Sequence, residues 1–134
     1  RNAVLETAAR MLAEGSALVT SALSVGLQER EKLASTAIGH GVAIPHGRSS
    51  MFETSRAVFL RLAQPVDFGA VDGHPVDLVL AMAVPEHHIQ QHLQLLAELA
   101  ERFADESFRE YLRSAPTVNE LSYRLLDRCR RNAA

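Results

Sequence analysis

The chain has 134 residues and a formal net charge of −2, with 47% apolar and 22% charged residues. This length and composition indicate one folded domain and exclude an intrinsically disordered protein. The longest uninterrupted apolar run, Leu78 to Val84, is too short to cross a bilayer, and the chain lacks the basic excess of a general nucleic-acid binder. The single cysteine, Cys129, excludes an internal disulfide and fits a reducing cytoplasm. We therefore expect a small soluble cytoplasmic domain with no membrane insertion and no nucleic-acid partner.

The N-terminal third reads as two helices. Val4, Leu5, Ala8, Met11 and Leu12 recur at helical spacing, which predicts a first helix from Asn2 to Leu12. A second helix is predicted from Thr20 to Leu33, although Val25 and Gly26 weaken the pattern. Because the chain opens directly on helix and without a methionine, we expect a further segment before Arg1 in the natural protein.

The middle of the chain has the pattern of loops and strands. Ser35 to Ser50 contains three glycines and a proline, which predicts loops around a short extended piece from Gly41 to Ile44. A β-type segment follows from Ala57 to Ala63, and Pro65 to Pro75 reads as a loop. Val76 to Val84 is almost continuously apolar, as in a strand that is covered on both faces.

The last third returns to helical patterns. An apolar stripe from Ile89 to Phe103 predicts a long helix, Asp105 can cap a shorter one, and Thr117 with Glu120 forms a capping box before a final helix. Helices, then strands, then helices predict a central sheet covered by helices.

His46 is the first candidate for chemistry. Pro45 fixes the backbone before this residue and Gly47 removes side-chain bulk after it, so the ring can be exposed beside backbone amides that face an anion. An unprotonated imidazole nitrogen is a nucleophile that can accept a phosphoryl group. The spacing alone leaves open the alternative that His46 is a surface histidine at the end of a strand.

His92 has two readings of equal weight. It lies on or beside the apolar stripe of its helix, so it is either a core histidine bonded to a backbone carbonyl or a histidine aimed at the C-terminal edge of the preceding strand. His88 and His92 also have the i,i+4 spacing of two zinc ligands, but a zinc site would need His46 or His40 as a third ligand.

The stretch STAIGHGVAIPHGR, Ser35 to Arg48, resembles the IIA domains of the bacterial phosphotransferase system, of the mannitol/fructose/nitrogen-regulatory type. Three further elements are similar to that family. They are Arg30-Glu31-Lys32, the central strand from Pro75 to Pro85, and the pair His92-Leu93. The histidine that the family phosphorylates corresponds to His46.

The resemblance implies an α/β fold, a three-layer α/β/α sandwich around a small mixed β-sheet, with residues 1–134 as a single domain. It implies a phosphotransferase component that carries a phosphohistidine on His46, with Arg30 and His92 as partners in catalysis and with no metal and no cofactor. The phosphate-binding residues that it implies are Ser35, Thr36, Gly41 and Gly47.

The implied partners are a histidine-phosphorylated, HPr-like carrier protein as donor and either a regulatory target protein or a IIB domain downstream. We favour the nitrogen-regulatory branch; the alternatives are a fructose- or mannitol-type IIA unit that feeds a sugar permease, and a binding module of the same fold that takes no phosphate. The sequence departs from the family at Ala37, where glycine is usual, and at His40, where asparagine is usual, so we assign no role to His40.

Overall fold

The computed structural model describes residues 1–87 and 89–133 of the chain. The helices and strands in these residues are, in chain order, α1 (Asn2–Leu12), α2 (Ala17–Leu33), β1 (Ala37–Gly39), β2 (Val42–Ala43), β3 (His46–Ser49), β4 (Arg56–Val66), β5 (Val76–Pro85), α3 (Ile89–Phe103), α4 (Glu106–Arg113) and α5 (Val118–Ala133). The chain divides into two compact units, the first from Arg1 to Leu96 and the second from Ala97 onward. No helix among the described residues has both the length and the apolar content to cross a membrane.

Strand β5 is the centre of the sheet. β2 and β3 run parallel to it along one edge, β4 runs antiparallel along the other, and β1 pairs antiparallel with β2. Val42 pairs with Leu78 and His46 with Met82, so β2 and β3 keep the same register on both sides of Pro45. Pro45 has no N–H and interrupts the ladder, while its carbonyl still accepts from the Met82 amide at 2.9 Å. The predicted mixed sheet is confirmed.

The predicted elements differ from the structure in four places. α2 begins at Ala17 and not at Thr20, because the Ser16 hydroxyl caps it by accepting from the Val19 amide at 3.4 Å. β1 and β3 lie within the stretch from Ser35 to Ser50, where only Gly41 to Ile44 was expected to be extended. β4 continues through Pro65 to Val66, where a loop was expected. The register between β4 and β5 shifts after Arg61, and proline is tolerated here because β4 is an edge strand.

The core of the first unit lies between helices α1 and α2 and the sheet. Leu5, Ala8 and Leu27 pack there with Phe68 and Val79, and all are buried. Strand β5 is buried along nearly its whole length, as its apolar run predicted. Met11 is an exception to the predicted apolar face of α1, since it is about half exposed (47%).

In the second unit, side chains begin the helices as the sequence predicted. The Asp105 carboxylate accepts from the Ser107 amide at 3.0 Å, and the Thr117 hydroxyl accepts from the Glu120 amide at 3.1 Å. The Glu120 carboxylate accepts from Arg124 at 3.0 Å. Both predicted helix starts are thereby confirmed, but only the Thr117 half of the predicted capping box forms, because the Glu120 side chain bonds to Arg124 and not to the Thr117 amide.

Candidate phosphoryl-transfer cleft

A cleft of about 520 Å³ opens beside β3 and the end of β5. It lies entirely within the first unit, at the carboxyl end of the central strand, where ligands of open α/β sheets collect. Its walls come from α2, β3, the end of β5 and the start of α3, and they are formed by Gly26, Glu29, Arg30, Leu33, His46, Gly47, Arg48, Val84, Pro85, His92, Leu93 and Leu96. The three residues predicted to act together, Arg30, His46 and His92, therefore meet in one cleft.

The ring of His46 is held in a defined tautomer. Its Nδ1 lies 2.9 Å from the carbonyl oxygen of Ile44. Because a carbonyl oxygen can only accept, this hydrogen bond requires the proton on Nδ1, and in the neutral ring it leaves the lone pair on Nε2. His46 is half-buried in the wall of the cleft, so Nε2 is the nitrogen available as a nucleophile.

Gly47 allows α2 to lie directly against β3. A β-carbon at Gly47 would lie 3.3 Å from the carbonyl carbon of Gly26, closer than most side chains approach a backbone. Gly26, Glu29, Arg30 and Leu33 recur at helical spacing and line the cleft together. The close contact between the two glycines therefore brings the Arg30 face of α2 to His46.

Two arginines line the cleft, one predicted and one not. The Arg30 guanidinium donates one hydrogen bond to the carbonyl of Ala34 at 2.8 Å, at the end of its own helix, and keeps further N–H groups for a ligand. Arg48 lies two residues after His46 in β3, so the alternation of a strand puts both side chains on one face. Sequence reasoning missed Arg48, because alternation gives a face only once the segment is known to be a strand.

His92 combines the two readings that its sequence position allowed. Its Nε2 lies 2.9 Å from the carbonyl oxygen of His87, which requires a proton on Nε2, and its Nδ1 lies 3.4 Å from the hydroxyl of Ser55. The ring is thus bonded to a backbone carbonyl and also lines the cleft. Ser55 comes from the segment before β4, and no sequence signal connected it with His92.

The remaining predicted phosphate ligands divide into two groups. Gly47 lines the cleft, whereas Ser35, Thr36 and Gly41 do not. The Ser35 hydroxyl donates to the carbonyl of Phe68, and the Gly41 carbonyl accepts from two amides at the start of β5. The phosphate-binding role of these three residues stays a prediction.

Thr36 is instead part of a buried cluster. Both its amide and its hydroxyl donate to the buried carboxylate of Glu31, at 3.1 and 2.6 Å, and the Thr36 carbonyl accepts from the Ile44 amide at 3.0 Å. Since Ile44 in turn accepts from the His46 ring, Thr36 braces the segment that orients the nucleophile.

His40 does not line the cleft. Its φ is positive, 58°, a conformation that asparagine and glycine adopt more easily than most residues, and its amide donates to Asp72 at 2.8 Å. Among residues 1–87 and 89–133, no group of three or more histidine, cysteine, aspartate or glutamate side chains could hold a metal ion. His88 lies outside the described residues, so the alternative that His88 and His92 bind zinc is not tested.

Comparison with known proteins gives one family. A nitrogen regulatory protein of Pseudomonas aeruginosa is 45% identical over 101 residues, which are 75% of this chain and 66% of that protein, so the chain spans slightly less than two thirds of the relative's length. The crystal structure of nitrogen regulatory protein IIA-Ntr from Neisseria meningitidis superposes with a TM-score of 0.85 at 38% identity, covering 93% of this chain and 86% of that one. The crystal structure of IIA mannitol from Escherichia coli gives 0.73 at 25% identity, covering 92% and 87%.

These structures confirm the predicted α/β fold class. Residues 1–128 match the family described as phosphoenolpyruvate-dependent sugar phosphotransferase system, EIIA 2. The predicted resemblance is therefore confirmed, and the chain belongs to the EIIA 2 family of the phosphoenolpyruvate-dependent sugar phosphotransferase system.

Proposed function

We propose that this chain is a phosphoryl carrier that accepts a phosphoryl group on Nε2 of His46 from a histidine-phosphorylated carrier protein and passes it on. The observation that carries the proposal is the hydrogen bond between Nδ1 of His46 and the Ile44 carbonyl, because it leaves a nucleophilic lone pair on Nε2 in the cleft. Membership of the EIIA 2 family supports the same role.

The step needs only the two imidazoles and the phosphoryl group. The Nε2 lone pair of His46 forms a bond to phosphorus while the P–N bond of the donor breaks, and the bonding pair returns to the donor ring. The Nδ1 proton of His46 stays in place throughout, held by Ile44. Such a transfer is governed by positioning and charge stabilisation, both of which the walls of the cleft supply.

Charge neutralisation falls to the cations of the cleft. A phosphohistidine adds about two negative charges, and Arg30 places a permanent cation in the same cleft. His92 lines the same cleft and can hydrogen-bond the phosphoryl oxygens in exchange for one of its present partners. Both residues therefore act on the group that His46 carries.

We assign the chain to the nitrogen-regulatory branch, with a regulatory target protein as its downstream partner in the cytoplasm. The similarity supports this, since nitrogen regulatory proteins reach 45% identity, whereas a fructose-specific EIIA component reaches 36% and the mannitol IIA structure 25%. The test is to offer the phosphorylated chain to a fructose- or mannitol-type IIB domain. Inefficient transfer is expected; rapid transfer would place the chain in a sugar branch.

The carrier role is tested with the purified, histidine-phosphorylated carrier protein as donor. One acid-labile, base-stable phosphoryl group per chain is expected, and His46→Ala should take up none. Arg30→Ala should slow uptake by about 10-fold or more, the loss of a hydrogen bond to a charged group, and change the free energy of unfolding much less. Uptake by His46→Ala at the wild-type rate would refute the assignment.

A further inference from the structure

We infer that Arg48 is a second phosphoryl-binding residue, whose guanidinium binds the phosphoryl group carried on Nε2 of His46. This inference rests on the proposed function of His46. Arg30 supplies one ligand for the phosphoryl group from α2, and Arg48 supplies a second from β3, the strand that also carries His46.

The placement of Arg48 is fixed by the strand that carries His46. Both residues belong to β3, which is paired with β5 from His46 to Ser49, and both line the cleft. Residues two apart in a strand point to the same face with Cα atoms about 6.6 Å apart. An extended arginine side chain spans such a distance, so its fork reaches a phosphoryl group on the neighbouring ring.

The two arginines differ in what they already bind. Arg30 is tethered to the Ala34 carbonyl at 2.8 Å, whereas within residues 1–87 and 89–133 no hydrogen bond or ion pair engages the Arg48 guanidinium. Arg48 is exposed, so its N–H groups can turn to an incoming anion without breaking a protein contact. A planar guanidinium binds two phosphoryl oxygens at once.

The charge balance of the cleft also favours a second cation. Glu29 and Arg30 both line the cleft, so α2 brings one negative and one positive charge to it. A phosphoryl dianion would then meet no net positive charge from α2. Arg48 restores a net positive charge to the wall around His46, which favours the doubly ionised phosphoryl group.

The experiment measures the phosphoryl group itself. The chain is phosphorylated with phosphoramidate, in which the P–N bond breaks, ammonia leaves and a P–Nε2 bond forms on His46. The ³¹P resonance that is absent in His46→Ala is then titrated with pH in the wild type, Arg48→Ala, Arg48→Lys and a control, Lys32→Ala. Lys32 is exposed on α2 and does not line the cleft.

Arg48→Ala is expected to raise the pKa of the phosphoryl group, because the cation that favours its dianion is gone, and to slow acceptance from the carrier protein by about 10-fold. Arg48→Lys should restore most of the pKa but less of the rate, and Lys32→Ala should match the wild type. An unchanged ³¹P titration in Arg48→Ala would overturn the inference. If acceptance slowed while the titration stayed unchanged, Arg48 would be a contact for the donor protein and not a ligand of the phosphoryl group. Failure of the carrier protein to phosphorylate the wild type would refute the proposed function, while the phosphoramidate titration would still decide the role of Arg48.

Discussion

Gly47 of β3 lies so close to Gly26 of α2 that a β-carbon on Gly47 would approach the Gly26 carbonyl carbon to 3.3 Å. The reverse is not true. A β-carbon on Gly26 would meet nothing nearer than the Arg48 carbonyl oxygen at 4.0 Å. The two glycines are therefore unequal: the strand needs one at position 47, while the helix merely tolerates one at position 26.

Two alanine substitutions should consequently have opposite effects. Gly47→Ala pushes against helix backbone, which cannot yield locally, and should destabilise the protein by about 1–3 kcal/mol and slow phosphoryl acceptance by displacing Arg30. Gly26→Ala should stabilise it by about 0.5–1 kcal/mol, since alanine is the better residue inside a helix. Chemical denaturation measures both, and a stabilising Gly47→Ala would contradict the close packing of α2 on β3.

A substitution at Thr36 can distinguish a structural role of this residue from a phosphate-binding role. Thr36→Val keeps the volume but removes a donor from the buried Glu31 carboxylate, which should cost about 1–3 kcal/mol of unfolding free energy. Acceptance of phosphate by the folded protein should be unchanged, and Thr36→Ser should restore stability because it keeps the hydroxyl. Slower acceptance at unchanged stability would instead support the original prediction that Thr36 binds phosphate.

The sequence predicted what short-range patterns can encode. The helices and the buried strand β5 followed from periodicity and from caps such as Asp105. β3 did not, because its sequence, His46 to Ser49, has no apolar alternation and becomes a strand only by pairing with β5. Arg48 and Ser55 were missed for the same reason: their relation to His46 and His92 depends on pairing and packing between distant segments.

Asp72 should give stability with a defined pH dependence. The amides of His40 and His74 donate to its carboxylate, at 2.8 and 3.1 Å, and hold the pKa of Asp72 below its ordinary range. A carboxyl group whose pKa is lower in the folded than in the unfolded protein stabilises the fold at any pH above its pKa in the unfolded protein, which is about 4. That stability is lost as the pH falls through the pKa of the group in the folded protein. Asp72→Ala should thus lower Tm at pH 7.

The effect of the same substitution should shrink at a pH well below the pKa of Asp72, where the wild-type carboxyl is also uncharged. Melting curves of the two proteins across the acid range measure this convergence. Glu53→Ala, at an exposed carboxylate, is the control and should track the wild type throughout. A gap in Tm that stays constant down to low pH would show that the charge of Asp72 contributes nothing.

His92 should matter more for giving the phosphoryl group away than for receiving it. Capture draws on the two arginines of the cleft, whose charge is permanent, whereas His92 offers the phosphoryl oxygens a hydrogen bond that it can exchange for its bond to the His87 carbonyl. His92→Ala should leave acceptance by His46 intact and slow transfer onward. Rapid-quench measurement of the two half-reactions separates them.

Ser55 tests whether the orientation of the His92 ring is part of that role. Its hydroxyl lies 3.4 Å from Nδ1 of His92, while the His87 carbonyl holds Nε2 at 2.9 Å. Ser55→Ala removes one of these two restraints and should slow onward transfer by about 2- to 10-fold, the contribution of one neutral hydrogen bond, with acceptance unchanged. His74→Ala is the matched control, because His74 is an exposed histidine outside the cleft and its backbone bond to Asp72 is retained. Equal slowing of both half-reactions by His92→Ala would make His92 a general element of the cleft wall. Onward transfer at the wild-type rate in Ser55→Ala would show that the orientation of the His92 ring plays no part in release.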